Sequence, residues 1–214
     1  MTPERGWLLL TNDDGIEAIG FELLVKALHQ AGYPLAVLAP SGNHSATGMR
    51  INLMKPMAFR GREDLVAKWG LAPHGAPVHL FELDGTPCDT MIVALDGGLN
   101  HLVPGVHPQL VVSGVNLGPN LSQDSYHSGT MGAAREAGLY GVPAIAASFT
   151  CFDPQGMDRA VDATLEAVAK ATAVLPVRAP NLGRPNGALD TGYFTAWPEP
   201  TTDDRWLADP EGAL

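Results

Sequence analysis

Short, continuous apolar runs punctuate the chain, and between them apolar residues recur at helical spacing. The runs are Leu8-Leu9-Leu10, Pro34 to Ala39, Leu110 to Val112 within Pro108 to Gly114, and Ala144 to Ser148, and Val78 to Leu83, broken by His79 and Glu82, looks like another strand. Uninterrupted apolar runs closed by turn signals are what strands buried on both faces of a parallel sheet require. Between the first two, Leu24, Ala27, Leu28 and Ala31 line one face of a helix over Gly20 to Ala31 that stops at Gly32. Thr86 and Pro87 are placed as cap and first residue of a helix running to Leu99. Ser128-Gly129-Thr130 opens another, through Ala133, Ala134, Ala137 and Leu139 to Gly141. Asp158 caps a last helix to Val174, with Val161, Leu165, Val168 and Thr172 on one face. The pattern is weakest from Arg50 to Pro77, where Ile51, Leu53, Met57 and Phe59 suggest an irregular strand and Arg60 to Gly75 is polar and glycine-punctuated. Strand, helix and strand over the first 40 residues make a βαβ unit, whose crossover is right-handed. The expected architecture is one α/β domain with an appendage.

Chemistry gathers where these strands end, which is where ligands bind in open α/β sheets. The first run closes in Thr11-Asn12-Asp13-Asp14-Gly15. At a strand-to-turn junction the chain bends, so adjacent carboxylates can converge on one point. Two anionic oxygen ligands suit Mg²⁺ or Mn²⁺ better than zinc. A solvated turn gives the same pattern, so the pair gains meaning from its neighbours. The loop after the second run, Pro40 to Gly48, is rich in glycine and hydroxyl residues and lies on the same sheet edge. It is a candidate to bring the Ser45 oxygen to a metal and backbone N–H groups to an anion. The third run leads into Gly114-Val115-Asn116-Leu117-Gly118-Pro119-Asn120, where an Asn at a strand end can be a neutral oxygen ligand. Ser128-Gly129-Thr130 at a helix N-terminus offers free N–H groups and the positive end of the helix dipole to an anion. The same residues also read as an ordinary N-cap, and the two roles are compatible.

Composition narrows the partners. The 214 residues carry a formal charge of -10 with no Lys/Arg cluster, which argues against a nucleic-acid polymer. An anionic ligand would then be held by a metal and by backbone N–H groups. The two cysteines, Cys88 and Cys151, have no metal-type spacing and read as packing residues in a reducing cytoplasm. Of the seven histidines only His44 and His127 fall in the site loops, without zinc-type spacing. No signal-peptide pattern and no membrane-length apolar run is visible, so a cytoplasmic location without a membrane partner is expected.

Five separated pieces then fall in one order: Thr-Asn-Asp-Asp-Gly at 11–15, Ala-Pro-Ser-Gly-Asn-His-Ser at 39–45, Asp-Gly-Thr-Pro-Cys-Asp at 84–89, Val-Ser-Gly-Val-Asn-Leu-Gly-Pro-Asn at 112–120 and Ser-Gly-Thr-Met-Gly-Ala-Ala at 128–134. Together they resemble the SurE (survival protein E) family of metal-dependent nucleotidases, over most of residues 6–175. The resemblance implies a Rossmann-like, three-layer parallel sheet over 1–175 and a shortened C-terminal tail over 176–214. It implies one divalent cation per subunit, Mg²⁺ or Mn²⁺, held by Asp13, Asp14, Ser45 and Asn116, with Asp13, Asp14 and Asn116 at the reacting centre. By the same resemblance Asn12, Asn43, Asn120 and Ser128-Gly129-Thr130 line the phosphate pocket. The implied reaction is hydrolysis of nucleoside 5′- and 3′-monophosphates, with Asp13 and Asp14 both open as the group that accepts the proton of the attacking water. Hydrolysis of another phosphomonoester or short polyphosphate, and nucleotide binding without catalysis, remain as alternatives.

The chain departs from the family pattern at His127, where a tyrosine is usual, and at Ser122, where a glycine is usual. A larger departure is the tail. Pro176 to Pro180 and Leu189 to Tyr193 resemble two family segments, but only Asn181 to Ala188 stands between them in place of a long excursion. Tyr193-Phe194-Thr195-Ala196-Trp197 can still pair or pack as an apolar strand. A homodimer rather than a tetramer is expected, with Asp203 to Leu214 on the surface or poorly ordered.

Overall fold

A computed structural model describes residues 5–72 and 75–177. Its elements are β1 (Trp7–Thr11), α1 (Ile19–Gln30), β2 (Leu35–Pro40), β3 (Phe59–Gly61), α2 (Glu63–Lys68), β4 (Val78–Leu83), α3 (Pro87–Val93), α4 (Leu99–Leu102), β5 (Pro108–Leu117), α5 (Asp124–His127), α6 (Gly129–Leu139), β6 (Ala144–Phe149) and α7 (Asp158–Val174). The strands form one six-stranded sheet in the order β3-β4-β2-β1-β5-β6. All neighbours are parallel except β3, which runs antiparallel along β4. This is the α/β sheet that the apolar runs predict.

Alternation along the strands divides the core in two. Leu8, Leu10, Leu35 and Val37 face Phe21, Leu24 and Leu28 of α1, Leu65 of α2 and Val161 and Val168 of α7. Leu9, Ala36, Leu38 and Val111 face Met91 of α3, Leu99 of α4 and Ala133 and Ala137 of α6. Helices therefore cover both faces, giving three layers. Chain order reverses at β1, with β2 on one side and β5 on the other, so β1 and β5 flank the topological switch point where such sheets bind ligands.

Three helices end by one device. After α1 the amide of Gly32 bonds the His29 carbonyl and that of Tyr33 bonds Leu28. Gly70 and Leu71 do the same after α2, and Gly141 and Val142 after α6. Each glycine has positive φ, as this C-terminal motif needs. At the other end of α3, Thr86 and Asp89 form a reciprocal capping box. Asp89 also accepts from the backbone (2.9 Å) and side-chain amide (2.6 Å) of Asn52, and Thr86 donates to the Arg50 carbonyl. The return limb of the loop after β2 is thereby tied to α3.

Several expectations need correction. The helix expected to run to Leu99 ends at Val93, passes a wide turn in which Gly97 takes φ 111°, and resumes as α4. The irregular strand expected over Ile51 to Phe59 is only β3, because Ile51 and Leu53 face solvent and pair with no strand. Asp158 is the first residue of α7 rather than its cap; Met157 precedes the helix and packs under Gly20 of α1. The tail segments Asn181 to Ala188, Leu189 to Tyr193, Tyr193 to Trp197 and Asp203 to Leu214 lie outside the described residues. Among the described residues no helix is long and apolar enough to cross a membrane.

The cysteines also divide. Cys88 is buried as expected, and burial with nearby Glu136 and Asp89 pushes its thiol up to about 12. Cys151 is exposed, so it is not a packing residue. A thiolate is the reactive form. A disulfide reagent at pH 8 is therefore expected to titrate one thiol promptly in the folded chain and two after denaturation, and two prompt equivalents would show that α3 does not shield Cys88.

Candidate active site

At the end of β1 the chain turns sharply, and Asn12 makes the turn. Its Nδ2 donates to the Gly15 carbonyl at 2.7 Å while Gly15 takes φ 98°. A Cβ on Gly15 would sit 3.0 Å from the Gly42 backbone, so the turn and the loop after β2 touch. Asn12 is wholly buried, and its Oδ1, with Ser113 Oγ on the adjoining strand, has no hydrogen-bond partner among the described residues. Polar capacity is thus left open beneath the acid pair.

The two carboxylates are held differently. Asp13 is 2 % exposed and accepts a bond from the Thr130 hydroxyl at its Oδ1. Asp14 is half-buried; its Oδ2 accepts from the Leu117 amide at 3.0 Å and its Oδ1 lies 3.5 Å from Asn43 Nδ2. Burial raises both carboxyls above their ordinary range, against the donors that lower them, and the charge of Asp13 raises Asp14 further. Two acids forced together away from water are stabilised as carboxylates by a cation.

Each neighbouring loop is fixed by backbone contacts. The His44 amide donates to the Asp13 carbonyl at 2.6 Å, and the Ser45 amide donates to Asn43 Oδ1 at 2.9 Å in a local turn. Farther along, Gly48 N–H meets the His127 carbonyl at 2.7 Å. A Cβ on Gly132 would lie 2.2 Å from Gly48 O, so only glycine lets α6 and this loop approach so closely. On the other side, Ser113 pairs with Ala146 and Asn116 with Ser148, so three steps on β5 oppose two on β6. This bulge re-aims the residues after Gly114, whose φ of 124° and 2.3 Å approach to Ala147 O exclude any side chain. Asn116 spends its Nδ2 on Gly118 O at 2.8 Å. Asn120 Nδ2 donates to Ser148 Oγ.

Ser128 is an N-cap, its Oγ accepting from Met131 N at 3.1 Å. Gly129 and Thr130 begin α6 beside Asp13. A Cβ on Gly129 would fall 2.7 Å from Asp13 Cβ and 2.9 Å from Thr47 Oγ1. The structure therefore brings Asp13, Asp14, Asn43, Ser45, Asn116 and the start of α6 to one edge of the sheet. Sequence reasoning missed that Thr130 and the Leu117 amide orient the acids and that Gly129 makes room for Asp13. The glycine between Ser128 and Thr130 was the only signal for the last of these. A cavity of about 300 Å³ lined by Lys26, His29, Trp69 and Gly75 lies at the C-terminal end of α1, away from the acid pair.

The donors are carboxylate, hydroxyl and amide oxygens, and among the described residues no group of three or more His, Cys, Asp or Glu is arranged to hold a metal ion by itself. Such a set fits a hard divalent cation and not zinc.

Comparison with known proteins identifies the family. The family model described as "Survival protein SurE" matches residues 8–192. The chain belongs to the SurE family. A 5′-nucleotidase SurE from Anaeromyxobacter sp. is 35% identical over 193 residues, 88% of this chain and 67% of that protein. One from Desulfitobacterium hafniense is 41% identical over 145 residues, 68% of this chain and 51% of that protein. The crystal structure of the SurE protein from Aquifex aeolicus matches with a TM-score of 0.64 at 27% identity, covering 78% of this chain and 60% of that one. The chain thus spans about half to two thirds of the length of these relatives.

Ser122 is held in an unusual backbone conformation. Ser122 takes φ 51°, a left-handed conformation open to glycine and strained for other residues. Ser122→Gly is expected to stabilise the chain by about 0.5 kcal/mol, the relief of strain less the extra entropy of an unfolded glycine. Thermal unfolding of the two proteins checks this, and a lower melting temperature for the variant would show that the serine side chain holds the turn.

Proposed function

We propose that this SurE-family chain is a divalent-metal-dependent phosphatase that hydrolyses nucleoside 5′- and 3′-monophosphates. The observation that carries the reading is the meeting, at the switch point between β1 and β5, of Asp13 with the N-terminus of α6 and of Asp14 with the end of β5. Asp13, Asp14, Ser45 and Asn116 would hold one Mg²⁺ or Mn²⁺. Such an ion, when bound, supplies Lewis-acid polarisation of a phosphoryl oxygen and a more acidic water. The remaining chemistry belongs to the chain. The Gly129 and Thr130 amides, which donate to the Asp13 carboxylate, hold that acid at the start of α6, and the α6 dipole with the side-chain amides of Asn43 and Asn120 would balance and orient the phosphoryl oxygens. Thr130 and the Leu117 amide keep each acid in one rotamer, so no reorganisation accompanies the reaction. An oxygen of Asp13 or of Asp14 not engaged by these donors would take the proton of an attacking water.

Asn12 belongs to this reading through the turn it closes, which aims both carboxylates. The names of the relatives support the nucleotidase class. We place the chain in the cytoplasm as a homodimer, with 1–175 as the nucleotidase core and 176–214 as the assembly segment. A panel of AMP, other nucleoside monophosphates, glycerol phosphate and tripolyphosphate, assayed for phosphate release with Mn²⁺, tests the function. Release from nucleotides first, abolished by EDTA, is the expected result. Preference for tripolyphosphate or glycerol phosphate would move the chain to another phosphatase class, and binding of AMP without release would make it a nucleotide-binding protein.

A further inference from the structure

Phe21, Trp69 and Tyr33 are buried in the core, whereas Phe152 is 77 % exposed. It lies in the loop after β6, on the sheet edge that carries the acid pair. This exposure is not looseness. Three atoms of the Phe152 ring lie within 3.5 Å of where a Gly118 Cβ would stand, the nearest at 2.7 Å, so the ring rests on the Gly118 backbone. Downstream, the Asp153 carboxylate accepts from Gln155 N at 3.0 Å, and Met157 is buried against Gly20 of α1. Both sides of the loop are thus pinned, and the ring is presented to solvent from a fixed base.

The base is wired to the acid pair. Gly118 O accepts from Asn116 Nδ2, Gly118 N donates to Phe149 O, and the preceding Leu117 amide holds Asp14. From Asn116 to Gly118 is two residues, at most about 7 Å of chain. That is the reach of a sugar phosphate. A substrate with its phosphate among Asp13, Asp14 and the α6 N-terminus would bring whatever it carries on the sugar to the Phe152 ring. Every nucleobase offers a flat π-face, and an aromatic platform holds it without reading its edge.

We propose that Phe152 is the stacking platform for the base of the substrate, a residue that selects nucleotides over base-free sugar phosphates while tolerating different bases. This rests on the nucleotidase reading above. The test compares KM and kcat for AMP and ribose 5-phosphate, with Mn²⁺, in the full chain and in Phe152→Ala, Phe152→Trp and Tyr126→Ala. Tyr126 is the control, an exposed aromatic that lies under Arg135 instead of on Gly118. Phe152→Ala is expected to raise KM for AMP about tenfold, as loss of one base stack does, with kcat and the ribose 5-phosphate KM unchanged. Phe152→Trp should restore the wild-type value. Equal losses on both substrates would make Phe152 a structural residue and overturn the platform, as would an effect of Tyr126→Ala in its place. A changed mass in light scattering with KM unmoved would make the ring an assembly contact. If the wild-type chain releases no phosphate from AMP, the nucleotidase reading itself fails and the platform with it.

Discussion

Asp13→Asn is expected to lower kcat for Mn²⁺-dependent phosphate release by about 10³-fold while leaving the fold intact. The amide keeps the shape of the carboxylate and can still accept from Thr130, so packing at the end of β1 is preserved. What it loses is one of two charges available to a cation, and metal stabilisation of a phosphoryl transition state is worth several kcal/mol, each 1.36 kcal/mol being about tenfold in rate. Stability should move the other way. Burial raises the Asp13 carboxyl above its ordinary range, so the metal-free fold gains from this group below that range and loses the gain as pH rises and the acid ionises. Asparagine has no such loss. At neutral pH and without metal the variant should melt at the same temperature as the wild-type chain or above it, and Mn²⁺ should raise the wild-type melting temperature alone. Near-normal activity in the variant would mean that the reacting centre lies elsewhere.

Gly129→Ala is the second large effect. Alanine is a better helix former than glycine, so α6 taken alone is not weakened. The new methyl would nevertheless stand 2.7 Å from Asp13 Cβ, 3.0 Å from Asp13 Oδ2 and 2.9 Å from Thr47 Oγ1. Either the acid or the start of α6 must shift. Displacements of this size in a reacting group cost about 10²-fold in rate. Activity should therefore fall by about 10²-fold with little change in the far-UV circular dichroism spectrum. Retained activity would show that Asp13 can give way without consequence.

The features that could be read from the sequence are those with local causes. The β1 and β2 runs, and Leu110 to Val112 in β5, are apolar on successive residues because helices cover both faces of the sheet, and that pattern survives in one sequence. Gly32, Gly141 and the Thr86-Pro87 pair mark helix ends through their own backbone preferences. Short elements escaped: α2 and α5 have six and four residues, too few for an apolar period to repeat. The Ile51 and Leu53 side chains misled because they are apolar yet exposed.

The site divides in the same way. Asp13, Asp14, Ser45 and Asn116 stand at ends of recognisable strands or in the loops that follow them, and so were visible. The bond from Thr130 to Asp13 joins residues 117 apart, and the Leu117 bond to Asp14 joins residues 103 apart. Neither leaves a local trace. Asn12 was expected in the phosphate pocket by resemblance, and its side chain is engaged with Gly15 in a buried turn. In the proposed reaction it would act through that turn.

The cation assignment at the acid pair is tested most directly by calorimetric titration of Mn²⁺ into the metal-free chain and into Asp14→Asn. One ion per chain for the wild type, and loss of that binding in the variant with the fold retained, is the predicted result. Equal Mn²⁺ binding by the two proteins would contradict it and remove the acid pair from the metal site.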